Sequence, residues 1–128
     1  MKDFDTWNEV KKRVNDRDNS TVAHSREIWW ATLGVNVGSE QDGKGHQSER
    51  PVLVIKRTSQ NVFYVLPIST KTKKTPMRAP FKYHGISEFA LLDQMRAMDK
   101  KRFLRKIGTI DETQFDTIIS RFFTLFRI

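Results

Sequence analysis

Two runs, Pro51–Lys56 (PVLVIK) and Val62–Ile68 (VFYVLPI), decide the fold class of this chain. Both are short, rich in β-branched and aromatic residues, and bounded by turn-forming residues, the composition of strands that bury at least one face. Glu27–Leu33 (EIWWATL) and Phe89–Met95 (FALLDQM) share that character. Several such strands in succession predict a curled antiparallel sheet or small barrel. Pro67 cannot donate to a sheet ladder, so the third run is expected to bulge or end there. Gly34–Arg50 (GVNVGSEQDGKGHQSER), with four glycines and many polar residues, reads as a long loop of the kind that often carries function. Residues 69–80 (STKTKKTPMRAP) read as a basic loop.

Helices are expected at both ends. Phe4, Trp7, Val10 and Val14 recur at helical spacing within Asp3–Asn15, with acids early and Lys11, Lys12 and Arg13 late, as the helix dipole favours. The polar stretch 15–25 then reads as a linker, so residues 1–25 form an N-terminal extension and 26–128 the main domain. Near the C-terminus Asp111 is a candidate N-cap, Gln114 its capping-box partner, and Ile110 a staple against Phe115. Phe115, Ile118, Ile119, Phe122, Phe123 and Phe126 are expected to make one apolar face for core or dimer packing. Arg121 and Arg127 argue against the rival reading of a membrane tail.

Composition narrows the function. The chain has 128 residues, enough for one ordinary domain, and 38% hydrophobic content with nine Phe excludes a disordered protein. No apolar run reaches the roughly 18 residues of a membrane span, and MKDFDTWNEV is unlike a signal peptide, so a cytoplasmic location is expected. Without Cys there is no disulfide framework and no thiolate zinc site, and His24, His46 and His84 are too scattered to suggest a metal cluster. No metal or cofactor is expected. Lys and Arg number 23 against 15 Asp and Glu, a net +8, which favours RNA, DNA or an acidic protein as partner. Phosphate-binding glycine loops, serine-hydrolase elbows and zinc-protease motifs are all missing. What remains is Arg50 at a strand start, Ser69 and Thr70 at a strand end, and Lys71, Lys73 and Lys74 beside them. Such guanidinium, hydroxyl and ammonium donors suit a phosphodiester whose charge grows in the transition state.

The ordered blocks Glu27-Ile28-Trp29-Trp30, Gly38-Ser39-Glu40-Gln41, Arg50-Pro51-Val52-Leu53-Val54, Pro67-Ile68-Ser69-Thr70 and Leu91–Asp99 (LLDQMRAMD), followed by KIGTI and a helix, resemble the MazF/PemK/Kid toxin family over about residues 26–126. The resemblance implies a small SH3-like curled sheet or barrel with a C-terminal helix, and a homodimer. It also implies metal-independent cleavage of single-stranded mRNA through the 2′-hydroxyl, leaving a 2′,3′-cyclic phosphate, and an acidic antitoxin that binds as an extended segment. Arg50 takes the place of the family's essential arginine, which contacts the scissile phosphate and is thought to take part in proton transfer. Ser69 stands where many members have a catalytic Thr, with Thr70 next door. Asp93, Gln94 and Arg96 match an Asp-Gln-x-Arg block whose Asp has been proposed as an acid. Glu40 and Gln41 fall in a mobile loop near the RNA. The loop after Gln41 (DGKGHQSE) is longer than in compact members and adds His46, an imidazole that can donate to a leaving oxygen. Two alternatives stay open: a non-catalytic SH3-like RNA-binding module, and a protein-binding toxin of the gyrase-poison type.

Overall fold

A computed structural model describes residues 2–17, 22–45, 48–71 and 73–127. Its centre is the pair of strands that the apolar runs predict, β2 (Glu49–Arg57) and β3 (Val62–Ser69), with β1 (Glu27–Thr32) on the far side of β2. Four further strands complete an antiparallel sheet: β4 (Arg78–Tyr83), β5 (Ile86–Leu91), β6 (Arg96–Asp99) and β7 (Phe103–Thr109). Their order is β4-β5-β3-β2-β1-β7, with β6 also paired to β3, and the sheet curls without closing. Helix α1 (Phe4–Asn15) precedes the sheet and α2 (Glu112–Leu125) follows it.

Alternation along the central strands produces two cores. Trp29, Ala31, Val52, Val54, Phe63 and Val65 point to one face and meet Met98 and Phe103 from β6 and β7, so the sheet's own curl encloses them. Phe103 lies edge-on to Phe63 at 5.2 Å. Ile28, Leu53, Leu66 and Ile68 point the other way, toward Ala79 and Phe81 of β4, Ile110, and Ile118 of α2. Phe63 and Val65 face one core, whereas Leu66 and Ile68 face the other, so β3 changes allegiance along its length. Its partner changes too: residues up to Val65 pair with β6, and those from Ile68 pair with β5. Pro67 sits at this hand-over, a break in pairing that accepts a residue without a backbone donor. The strand itself continues to Ser69 rather than ending at the proline.

Several expectations need correction. Phe89–Met95 is not one strand: β5 stops at Leu91, and Leu92–Gln94 form a 3-10 turn before β6. Residues 69–80 are not all loop, because Arg78 opens β4. That strand forms a hairpin with β5 through His84 and Gly85, whose φ values of 49° and 76° give the doubly positive turn that matches strand twist. Pro80 is tolerated because β4 is an edge strand.

Both helices are capped by the aspartates the sequence offers. Asp3 accepts from the Thr6 backbone N–H at 2.9 Å, and Asp111 from that of Gln114 at 2.9 Å. Gln114 does not complete a capping box with the backbone N–H of Asp111. Its carboxamide instead accepts from Lys82 N at 2.7 Å and donates to Lys82 O at 2.8 Å, stitching α2 to the outer edge of β4. Phe115, Ile118, Phe122 and Leu125 pack on the sheet with Ile110, whereas Phe123 is 68% exposed and Phe126 43%; these two do not join the packed face. Helix α1 buries Trp7, Val10 and Val14 against Val35, and removing such valines from water contributes roughly 1.5 kcal/mol or more each. Gly34 is required beneath it: its φ is +90° and a Cβ there would stand 2.3 Å from the Trp7 indole. No helix among the described residues is long and apolar enough to cross a membrane.

Candidate functional site

Arg50 occupies the second position of β2, opposite Ala31 of β1. From there its guanidinium reaches across the strand ends and is held on three sides. Nε donates to the Asp42 carbonyl at 2.7 Å and Nη1 to the Ile68 carbonyl at 3.1 Å; with the Gln41 carboxamide oriented so that its oxygen, not its NH2, faces the guanidinium, Nη2 donates to that oxygen at 2.7 Å. These bonds use three of the five N–H donors and leave two for a ligand. Burial lowers its affinity for the proton; the Asp42 carboxylate opposes that shift and Arg78 reinforces it.

The contact to Ile68 places the guanidinium beside Ser69. Ser69 is buried at the end of β3, its Oγ accepts from the Lys71 backbone N–H at 3.2 Å, and no acceptor for the hydroxyl proton is found among the described residues. Around this pair lies a cleft of about 600 Å³ lined by Gln41, Arg50, Ser69, Thr70, Lys71 and Lys73, together with Trp30, Lys44, Glu49, Arg78 and Glu88 among others. The lining carries five cationic side chains (Lys44, Arg50, Lys71, Lys73, Arg78) against two carboxylates (Glu49, Glu88), an excess of positive charge that attracts anions. Among the described residues, no three His, Cys, Asp or Glu side chains are grouped to hold a metal ion.

The other candidate residues gather elsewhere. Glu40, Gln41, Asp93, Gln94 and Arg96 line a second cleft of about 590 Å³ with Asn36, Ser39, Pro67, Met95 and Ala97. Gln41 belongs to both clefts: its side chain touches Arg50 while its backbone N–H donates to Gln94 Oε1 at 3.1 Å. Asp93 is exposed on the 3-10 turn, its carboxylate without a hydrogen-bonding partner among the described residues. Arg96 is largely engaged by the fold, donating to the Leu33 carbonyl at 3.2 Å; burial lowers its proton affinity and Glu40 opposes this. Lys74 is exposed and lines neither cleft. His46 lies outside the described residues.

Four cleft residues escape a reading by sequence neighbourhood. Arg78 enters because β4 returns toward the end of β3, and it also fixes the lysine loop by donating to the Lys71 carbonyl at 2.8 Å. Lys44 comes from the long loop through its bridge to Glu49. Trp30 offers a half-exposed indole with Arg105 stacked 5.1 Å away. Glu88, on β5, is partly buried, and burial raises its pKa above the ordinary 4.5. The basic run before β4 and the paired tryptophans were the available signals; for Glu88 there was none. The buried carboxylate Glu27 has a different task. Burial raises its pKa, but donors from Trp29, Lys106 and the His24 backbone outweigh this and hold it low, tying β1 to β7.

A curled antiparallel sheet with a terminal helix and a cationic cleft where its strands end defines a small β-rich protein. Comparison with known proteins is specific beyond that. The chain belongs to the family of PemK-like, MazF-like toxins of type II toxin–antitoxin systems, which it matches over residues 24–126. Endoribonuclease EndoA from Bacillus subtilis (strain 168) is 32% identical over 102 residues, covering 72% of this chain and 84% of the relative. MazF from Deinococcus radiodurans shares the fold with a TM-score of 0.71 at 19% identity, over 85% of this chain and 100% of that one. The MazE–MazF complex of the same organism gives a TM-score of 0.65 at 16% identity, over 85% and 99%. The family's enzymes are endoribonucleases.

Proposed function

We propose that this chain is a toxin that cleaves single-stranded mRNA at the cleft around Arg50, by attack of a ribose 2′-oxygen on the adjacent phosphorus. The observation that carries this reading is the Arg50 guanidinium, fixed on three sides beside the Ser69 hydroxyl in a cleft dominated by cations. As the bond from the 2′-oxygen to phosphorus forms, the bond to the 5′-oxygen breaks. The 2′-proton leaves to a base and the 5′-oxygen gains a proton, giving a 2′,3′-cyclic phosphate and a 5′-hydroxyl. Arg50's two remaining donors and the Ser69 proton meet the non-bridging oxygens, where preorganised donors are most effective because charge grows there. Lys71, Lys73, Lys44 and Arg78 hold flanking phosphates, and Trp30 offers a stacking face for a base.

Asp93 belongs to the second cleft, separated from Arg50 by Gln41, so we assign it with Glu40, Gln94 and Arg96 to contacts with neighbouring nucleotides rather than to proton transfer. The working unit in this reading is a homodimer, a role for the exposed Phe123 and Phe126 of α2. The natural inhibitor is an acidic, partly disordered antitoxin that covers the cationic cleft; net charge of +8 favours such a partner. The test is to incubate the purified chain with a long mixed-sequence RNA in EDTA and map the ends. Discrete internal cuts with 5′-hydroxyl ends support the proposal, and intact RNA at high protein concentration refutes it.

A further inference from the structure

Helix α1 lies outside the segment matched by the family, yet it is connected to Arg50 by an unbroken series of contacts. Lys2, just before the helix, pairs with the Asp42 carboxylate at 3.1 Å and donates to the Asn36 carbonyl. The same carboxylate accepts from the Asn36 backbone N–H at 2.6 Å, and the Asn36 carboxamide donates to the Gln41 carbonyl at 2.9 Å. One turn into α1, the Trp7 ring rests on Gly34 at the base of this loop and lies under Arg102 at 5.7 Å. The far end of the series is the site: the Asp42 carbonyl and Gln41 side chain are two of the three groups that fix the Arg50 guanidinium.

We infer that α1 is a positioning element of the cleavage site, with Lys2 and Trp7 holding the Gly34–Asp42 loop in the one arrangement from which it can orient Arg50. A glycine-rich polar loop has many conformations in water, and each one lost beforehand need not be lost when RNA binds. The Lys2–Asp42 pair is suited to this because it is partly buried and its carboxylate is also bonded to backbone, so breaking it releases the loop rather than one exposed ion pair. The inference rests on the proposed cleavage at Arg50, and the loop's state can be read without RNA.

The experiment compares the full chain with Lys2→Met, Lys2→Arg and Lys12→Met. Amide hydrogen exchange of residues 36–43 reports the loop, and kcat and KM on a short RNA report the site. Lys2→Met is expected to lose loop protection and about tenfold in kcat, because small misplacements of a catalytic group are costly, while KM moves less than about twofold. Lys2→Arg should restore both readouts. Lys12→Met removes the same charge from α1 itself, at an ammonium paired with Glu9, and should change neither. Unchanged loop protection in Lys2→Met overturns the inference. So does lost protection with kcat intact, or a rise in KM shared equally by Lys12→Met, which would mean that α1 acts only through charge. If the parent chain leaves RNA intact, the cleavage reading fails on its own, and exchange still shows whether α1 orders the loop.

Discussion

Arg50 is held by three acceptors that only a planar, forked cation can satisfy together. Arg50→Ala removes both the phosphate clamp and the group around which Gln41 and Asp42 are arranged, and should lower kcat by roughly a hundred- to a thousandfold. Arg50→Lys should recover little of this, because an ammonium cannot reach the Asp42 and Ile68 carbonyls and still present a planar pair of donors. Ser69→Ala should cripple cleavage, whereas Ser69→Thr keeps the hydroxyl on a strand that favours β-branching; rates of the two on one substrate separate donor loss from packing. Glu88 makes a prediction about pH. Burial raises its pKa in the fold, so the folded state binds the proton more tightly than the unfolded chain does. The ionised form therefore costs stability above the folded pKa, and that cost disappears below the ordinary value of 4.5. Glu88→Gln should stabilise the fold at pH 7 by a small amount, under about 1 kcal/mol because the group is partly solvated, read as a slightly higher Tm, and lose the advantage at acid pH.

At the scale of elements, legibility followed burial. Strands β1, β2 and β3 are central, so their apolar runs stand out. Edge strands β4 and β7 carry Lys82, Arg105 and Lys106 on exposed positions, with the half-buried Arg78 and a proline in β4, the devices by which edges avoid aggregation and also avoid notice in a sequence. Strand β6 has only four residues, too few for any period to register. The helices were legible because caps are local; what Gln114 does was not, since its partner Lys82 lies 32 residues away. Gln114→Ala should cost about 1–2 kcal/mol by removing both bonds to the Lys82 backbone, seen as a lower midpoint in urea. Gly34→Ala should cost about 1–3 kcal/mol, because it forces a side chain into a left-handed conformation and displaces Trp7. Its diagnostic sign is release of α1 with the sheet intact, visible as faster amide exchange confined to the helix and the loop beneath it.

For the whole molecule, net charge favours a polyanion as partner before any fold is known, and the fold gathers five of the cations into one cleft. The sequence brought Arg50, Ser69, Lys71 and Lys73 forward because they flank strand ends, and the fold places them along one cleft. It could not show that Gln41 links two clefts, that Lys74 lines neither, or that Arg78 and Lys44 converge, since those facts depend on how β4 and the long loop return. Binding of single-stranded RNA should weaken with salt, with a slope in log K of roughly −0.7 per phosphate neutralised. The double variant Lys71→Ala/Lys73→Ala should flatten that slope by about 1.4, measured by titration of an uncleavable RNA. A homodimer predicts a sedimenting mass near twice 15.0 kDa, and a monomer at micromolar concentration contradicts it. The central claim is that the RNA's own 2′-oxygen attacks the phosphate that Arg50 and Ser69 hold. The most direct test is a substrate with a single 2′-deoxy sugar just 5′ of the mapped cleavage site, assayed beside the all-ribose strand. The account predicts that the deoxy strand binds with unchanged affinity and is not cut at that position. Cleavage there at the normal rate would contradict it.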